Sequence, residues 1–362
     1  MTRLARRAEE ALIGAALHRP EVLPAMRWVP AGAFSSPDLG ALWTTLQNID
    51  FRTVPSTEVP SAVTAAVAQI EDQGLRQCLA RPRIAALANA CPDPRTAPLY
   101  GGMTLESAIH RSVEHAGNEL RSTAQQAEVD QAAQALDQVE RTGNRLAALD
   151  AAWKAAPETV RNLLDTPAEE QIQLAQHTAR ARVDLQAEME TVASLLWRPE
   201  QLPEVTGWLQ PRDFSDPQLA AVYEAMTTLH DRHAPIDTVT VAWETARRPG
   251  AQPSGQVLDE LERAGTGGTA SYAGEQVLGT AVLDRLDAAG HHMRDLALHP
   301  QLAPTALVDH AERAMQPAIA DRERVHHAER EPELARADTE PAPTGPTARR
   351  LPAPGHEMEI DV

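Results

Sequence analysis

The sequence predicts an all-α protein of two tandem helical bundles, each with a C-terminal helical hairpin, followed by a disordered C-terminal tail. Three observations carry that prediction. The composition is alanine-rich and poor in aromatic residues (3%), with apolar residues at helical spacing nearly throughout and no segment that alternates as a strand would. A ten-residue phrase, W-L-Q-P-R-D-F-S-D-P at 208–217, has a looser copy at 28–37, W-V-P-A-G-A-F-S-S-P, with Trp, Phe, Ser and Pro in register. At 362 residues the chain is long enough for two domains with real cores.

Helix-start chemistry explains the phrase. Asp216 stands where an N-cap belongs, and Pro217 has the fixed φ that suits a first helical residue; Ser36 and Pro37 take those places in the first copy. An apolar stripe follows each: Leu39, Leu42, Trp43, Leu46 and Ile49, then Leu219, Val222, Tyr223, Met226 and Leu229. Both stripes have i, i+3, i+4, i+7, i+10 spacing, the core face of an amphipathic helix. Phe34 and Phe214, just ahead of the caps, are expected in the same core. The Trp and Phe of the phrase would also suit a platform for stacked bases, but their register and apolar neighbours favour core packing.

The likeness extends both ways. R-P-E-V-L-P (19–24) matches R-P-E-Q-L-P (198–203), and Pro55, Val59 and Ala62 match Pro235, Val239 and Ala242. Y-G-G at 100–102 heads a helix reaching A-G at 116–117, as Y-A-G at 272–274 heads one reaching A-G at 289–290. A repeat of this length exceeds a solenoid unit and predicts a duplicated globular domain. The expected boundaries are a first copy over 7–156, a partly helical linker over 157–186, and a second copy over 187–316. Proline-free helical character from Leu99 to Ala156 predicts the hairpin. Val129, Ala132, Leu136, Val139 and Leu146 sit at heptad-like places there, too few for an independent zipper. The stretch 317–362 has seven prolines and no aromatic residue, too little apolar surface to offset its ordering entropy, and is expected to be disordered, the alternative being a helix that extends in from before Pro317.

Charge excludes some functions. Acidic residues outnumber Lys and Arg by 51 to 33, for a net −18, with one lysine, Lys154, and no basic block. Tight, direct nucleic-acid binding is disfavoured, since phosphate contacts need clustered cations. No run is long and apolar enough to span a bilayer and no secretory signal is evident, so a cytoplasmic location is expected. Cys78 and Cys91 form no metal-ligand spacing and are expected as small residues in or near a core.

Catalytic chemistry is equally sparse. Lys154 lies in A-A-W-K-A-A, with no glycine-rich loop before it, so these residues hold no P-loop. G-T-G-G-T at 265–269 lacks the lysine of a phosphate loop and reads as a turn before a helix. His291-His292 lie on an expected helix, where adjacent residues diverge by about 100° and cannot both face one metal, and His326-His327 lie at the edge of the tail; both pairs are expected to be solvated. Glu9-Glu10 and Glu169-Glu170 read as charged helix faces. The sequence thus nominates no catalytic, cofactor-binding or metal-ligating residue and no cofactor, and it leaves the partner interface unidentified.

The phrase and its surroundings resemble the N-terminal domain of the bacterial replicative DNA helicases of the DnaB type. The resemblance is carried by L-P-E-V-T-G-W-L-Q-P-R-D-F-S-D-P, by P-I-D-T-V-T-V, and by the opening helices E-M-E-T-V-A-S-L-L (188–196) and E-E-A-L-I-G-A-A-L (9–17). It is fuller over 187–315 than over 7–117, where V-P-S-T-E-V-P-S replaces the P-I-D turn. Both copies lack the family's histidine in the helix after the phrase, where Ala220 and Ala221 stand in the second copy. The resemblance implies a helical bundle plus hairpin that, in the helicases, pairs through the hairpins into a collar recruiting primase. It transfers no catalytic residue, because the family's ATP and DNA sites lie in a motor domain. It implies a non-enzymatic assembly protein in or near DNA replication, with a replicative helicase, a primase or itself as partner. The alternative is the non-catalytic chain of a split helicase whose motor is a separate protein.

Overall fold

The computed structural model describes residues 2–165, 182–248, 250, 252–264 and 269–339, and among these the fold is all-α, with no strand. The N-terminal half runs through α1 (Thr2–His18), α2 (Pro37–Asn48), α3 (Val59–Val67), α4 (Gln73–Cys78) and α5 (Arg81–Asn89). It closes with a hairpin of α6 (Ala97–Gln126) and α7 (Ala132–Lys154), trailed by α8 (Glu158–Leu164). The C-terminal half runs through α9 (Leu185–Trp197), α10 (Leu202–Thr206), α11 (Pro217–Asp231), α12 (Thr238–Ala246) and α13 (Gly255–Ala264), then a hairpin of α14 (Ala270–Ala297) and α15 (Pro304–Thr339). Residues 166–181, with Glu169-Glu170, and 340–362 lie outside the described residues.

The two decapeptides launch α2 and α11 as their chemistry demands, with one difference. Asp216 caps α11, its carboxylate accepting from the Gln218 and Leu219 amides. Ser36 occupies the N-cap of α2, but its hydroxyl donates to Asp38 rather than capping the helix. Behind the caps, Phe34 lies 5.6 Å from Trp43 and Phe214 5.1 Å from Tyr223, ring centre to ring centre. Fourteen residues separate a matching pair of hydrogen bonds: Trp43 Nε1 donates to the Val29 carbonyl at 2.9 Å, and Tyr223 Oη to that of Leu209 at 3.1 Å. Burial pushes the Tyr223 phenol well above its usual pKa, so it serves as a donor. The apolar stripes are buried, with Ile49 partly so. Trp208 and both Phe side chains belong to the core and Trp28 is half-buried against it, so none is a stacking platform.

Several expectations need correction. Glu9 is not on a solvated face: it is fully buried, for the reason given below, while Glu10 pairs with Arg6 and Arg83 at the surface. The stretch after Pro317 is not a tail from that point, since α15 continues through the proline to Thr339 and buries Asp321, Arg324, Val325 and Ala328. An interior proline costs a helix about 3 kcal/mol, and that tertiary burial offsets it. His326 and His327 therefore sit on α15, with His327 against Gly207. His291 lies 3.4 Å from Asp287. Cys78 is exposed and Cys91 half-buried. The match of Val59 to Val239 slips as well, because Val59 is buried and Val239 is 75% exposed. In the first half Pro60 and a 3-10 turn at Ser56–Glu58 reset the helix start.

The long helical stretch 99–156 is broken at Ala127, which turns extended before α7. No glycine or proline marks the break. The Glu128 amide donates to the Gln131 side chain at 3.3 Å, a reach-back typical of a helix start. Val129 then tucks against Gly279 of α14, where a Cβ would come within 2.5 Å of it.

A half-buried acid gives the first half a pH response. Glu106 on α6 is pushed up to about 7, chiefly by burial and secondarily by the nearby charge of Asp165, which follows α8. Its proton is held more tightly in the folded chain than in the unfolded one. Stability is therefore expected to fall as pH rises from the ordinary range near 4.5 through about 7. Glu106→Gln keeps this position neutral at every pH. Thermal melts of the variant should match the parent at pH 4 and exceed it at pH 8; equal melting temperatures at pH 8 would refute the assignment.

Candidate interaction surfaces

Each opening helix carries a buried carboxylate that ties it to the decapeptide. Glu9 on α1 accepts from the Ser35 amide at 2.9 Å and its hydroxyl at 2.7 Å, and Arg111 of α6 lies 3.3 Å away. Glu188 on α9 accepts from the Ser215 amide (2.7 Å), the Ser215 hydroxyl (2.5 Å) and the Asp216 amide (3.0 Å). These acids accept from the residues just ahead of α2 and α11 and so tie each opening helix to the turn that launches the next one. They also explain why a glutamate opens both of the motifs quoted above.

The hairpins pack against each other, α6 along α14 and α7 along α15. At the α6–α14 crossing two glycines meet. A Cβ on Gly117 would fall 2.6 Å from the Gly290 carbonyl oxygen, and one on Gly290 2.5 Å from that of Gly117. The next turns match too: Arg294 N lies 2.9 Å from the Gly117 position and Arg121 N 3.0 Å from the Gly290 position. Positions that correspond between the halves thus touch one another, the mark of an isologous two-fold contact. Further along, Trp28 reaches Gly101 and Trp208 reaches Gly274. This fixes the register at Gly101 with Gly274, one residue away from the tyrosine match, and Tyr272 is accordingly exposed. Polar ties cross the seam as well: Gln125 donates to Asp287 at 3.2 Å, and Arg322 of α15 reaches Asp137 and Glu140 of α7.

The halves differ where decapeptide meets hairpin. In the C-terminal half Asp213 and Asp321 are both buried among arginines. Arg324 donates to both acids and, through Nε, to the Trp208 carbonyl at 2.7 Å. Arg285 reaches Asp213 at 3.0 Å and Asp321 at 2.6 Å, and Arg212 reaches Asp321 at 3.1 Å. In the N-terminal half the same junction is an open groove of about 720 Å³, lined in part by Phe34, Arg111, Ser112, Arg145, Leu149 and Ala152. A second groove of similar volume, about 720 Å³, lies between the ends of α1 and α2. On α12, Val239 and Trp243 stand four residues apart with 75% and 70% exposure, an apolar pair open to solvent.

Sequence reasoning left the interface unidentified and assigned none of these residues to it. One signal was readable: Ala33 in the first phrase stands where Asp213 stands in the second. Lys154 pairs with Asp150 at 2.6 Å on α7. Thr269 caps α14 through its hydroxyl, as a turn requires, while residues 265–268 lie outside the described set. Among the described residues, no group of three or more His, Cys, Asp or Glu side chains could hold a metal, and no helix is long and apolar enough to cross a membrane.

The fold and these surfaces define an all-α protein whose two helical heads are joined through packed hairpins. Residues 180–271, about a quarter of the chain, match the family model described as the DnaB-like helicase N terminal domain. Residues 180–271 are thus similar to the N-terminal domain of that family, and the match ends at the start of α14. Searches of curated proteins and of solved structures return no match.

Proposed function

We propose that the chain is a non-enzymatic assembly module built from two copies of the helicase N-terminal domain, over 7–156 and 187–316, and held as a single-chain pseudo-dimer. The observation that carries this reading is the self-equivalent crossing of α6 and α14 at Gly117 and Gly290. In the helicases that the sequence resembles, such domains pair through their hairpins between chains; here both members of a pair lie on one chain. The hairpin faces that would otherwise seek a partner are filled internally. Docking on a replicative helicase, a primase or a second copy then falls to the heads. The acidic net charge suits a protein partner better than a DNA backbone.

The test mixes the purified chain with the replicative helicase and, separately, the primase of the same host, and follows complex formation by sedimentation together with ATP hydrolysis. The expected result is a stable complex with one of them and no hydrolysis by the chain alone. No complex with either, combined with a monomer at all concentrations, overturns the reading. DNA-stimulated hydrolysis that appears only when a separately encoded motor is added would favour the split-helicase alternative.

A further inference from the structure

The edge formed by α1 and the start of α5 concentrates arginine in an otherwise acidic chain. Arg3, Arg6, Arg7 and Glu10 follow i, i+3, i+4, i+7 spacing and so share one face of α1. Arg83 of α5 reaches Glu10 at 2.9 Å, and a Cβ on Gly14 would fall 2.5 Å from the Leu87 carbonyl oxygen. Both contacts advance by four residues, so the two helices run side by side in the same direction. Arg81, the first residue of α5, therefore lies level with the arginine face of α1. One carboxylate, Glu10, serves both Arg6 and Arg83, while Arg3, Arg7 and Arg81 are exposed and have no ion pair among the described residues. Glu9 is no counter-charge here, because it points to the opposite side of α1, toward Ser35 and Arg111. Glu71 and Asp72 precede α4, and Asp72 is held in capping it.

The second half holds the same opening helix without the charge. Glu9 and Glu188 both accept from a decapeptide serine, which aligns α1 with α9. In that alignment Arg6, Arg7 and Glu10 correspond to Leu185, Gln186 and Met189. Arg3 corresponds to Arg182, whose guanidinium is spent on the Gln125 and Ala127 carbonyls. Packing of an opening helix against its head thus does not require the arginines.

A planar guanidinium matches a phosphate through paired N–H donors, and arginines are a usual means of positioning a phosphate backbone. None of the five arginines lines either groove, so the strip offers no socket for the buried anchor on which a protein interface depends. Leu4, 72% exposed, is the one large apolar side chain that α1 exposes among its described residues, too little for insertion into a lipid surface. We propose that the strip contacts the phosphate backbone of nucleic acid, weakly and without regard to sequence. The net charge of −18 opposes a tight complex. It leaves room for a weak local one, because at physiological salt exposed charges are largely screened beyond about 8 Å.

The test measures fluorescence anisotropy of a labelled oligothymidylate, and of a mixed-sequence strand of equal length, with the full chain across a salt series. Both strands are expected to bind alike at low salt. About four phosphate contacts, each releasing roughly 0.7 of a counterion, give a slope near −3 for log affinity against log salt. Replacing Arg3, Arg7 and Arg81 together by Glu should weaken binding by at least about tenfold and flatten the slope to roughly −1. Replacing the same three by Lys should keep binding within about threefold, since the charge is retained. The control replaces Arg247, Arg263 and Arg313 by Glu, an equal change in net charge at exposed positions elsewhere, and should leave binding nearly unchanged. No binding at low salt overturns the proposal, as does an equal loss in the control chain or a strong preference for one of the two strands. Tighter binding of labelled polyglutamate than of the oligonucleotide also overturns it, because the partner of the strip is then an acidic protein. None of these outcomes bears on whether the chain binds a helicase or a primase, so the two readings fail separately.

Discussion

Gly290→Ala is expected to destabilise the folded chain by about 2–3 kcal/mol, the cost of forcing extra volume into a close-packed site. The new Cβ would stand 2.5 Å from the backbone oxygen of Gly117. That oxygen is part of a helix and cannot rotate away, so α6 and α14 must separate along their shared seam. Gly117→Ala should behave alike, because its Cβ meets the Gly290 oxygen at 2.6 Å. Gly143 is the control: it lies within α7 and a Cβ there meets nothing within 4 Å. Gly143→Ala should therefore stabilise the chain by up to about 1 kcal/mol through helix propensity alone. Chemical denaturation would measure all three, and hydrogen exchange would localise the loss to residues 113–121 and 286–294. Indistinguishable stabilities for the Gly290 and Gly143 variants would show that the hairpins do not pack as described, and the pseudo-dimer reading would lose its support.

Glu188→Ala should cost about 3 kcal/mol or more, since it strands three donors at the start of α11: the Ser215 amide, the Ser215 hydroxyl and the Asp216 amide. Glu188→Gln separates charge from geometry. Its carbonyl can still serve the two Ser215 donors, while its NH2 confronts the Asp216 amide, so a loss of about half that size is expected. Glu9→Ala should weaken the first half similarly, with the Arg111 guanidinium also losing its carboxylate. The readout is again the denaturation free energy. A Glu188→Ala chain as stable as the parent would mean that the carboxylate is not the acceptor on which α11 depends.

Much of the architecture was legible because it is written in local chemistry. The apolar stripes behind Pro37 and Pro217, the N-cap at Asp216 and the anchoring Phe34 and Phe214 are short-range patterns, and only the side-chain cap is confined to the second half. What the sequence reading missed depends on partners distant in the chain. Glu9 looked solvated because nothing beside it in sequence reveals Ser35, 26 residues on, as its donor. The groove was invisible for a related reason, since Ser112, Leu149 and Ala152 are ordinary residues one by one. They line a groove only when the hairpin brings them together.

Sequence by itself determined the helical class, the repeated start signals and the absence of a P-loop from these residues, because helix propensity, capping and motif spacing act over a few positions. Tertiary structure decided where α6 turns into α7, how far α15 runs and which hairpin pairs with which. Val129 has no turn signal of its own and is placed by Gly279; Pro317 would end an isolated helix, but Asp213 and Arg285 hold the helix beyond it in place. Gly117 and Gly290 gain their meaning only from each other, because close backbone approach is a property of two helices and not of either sequence alone.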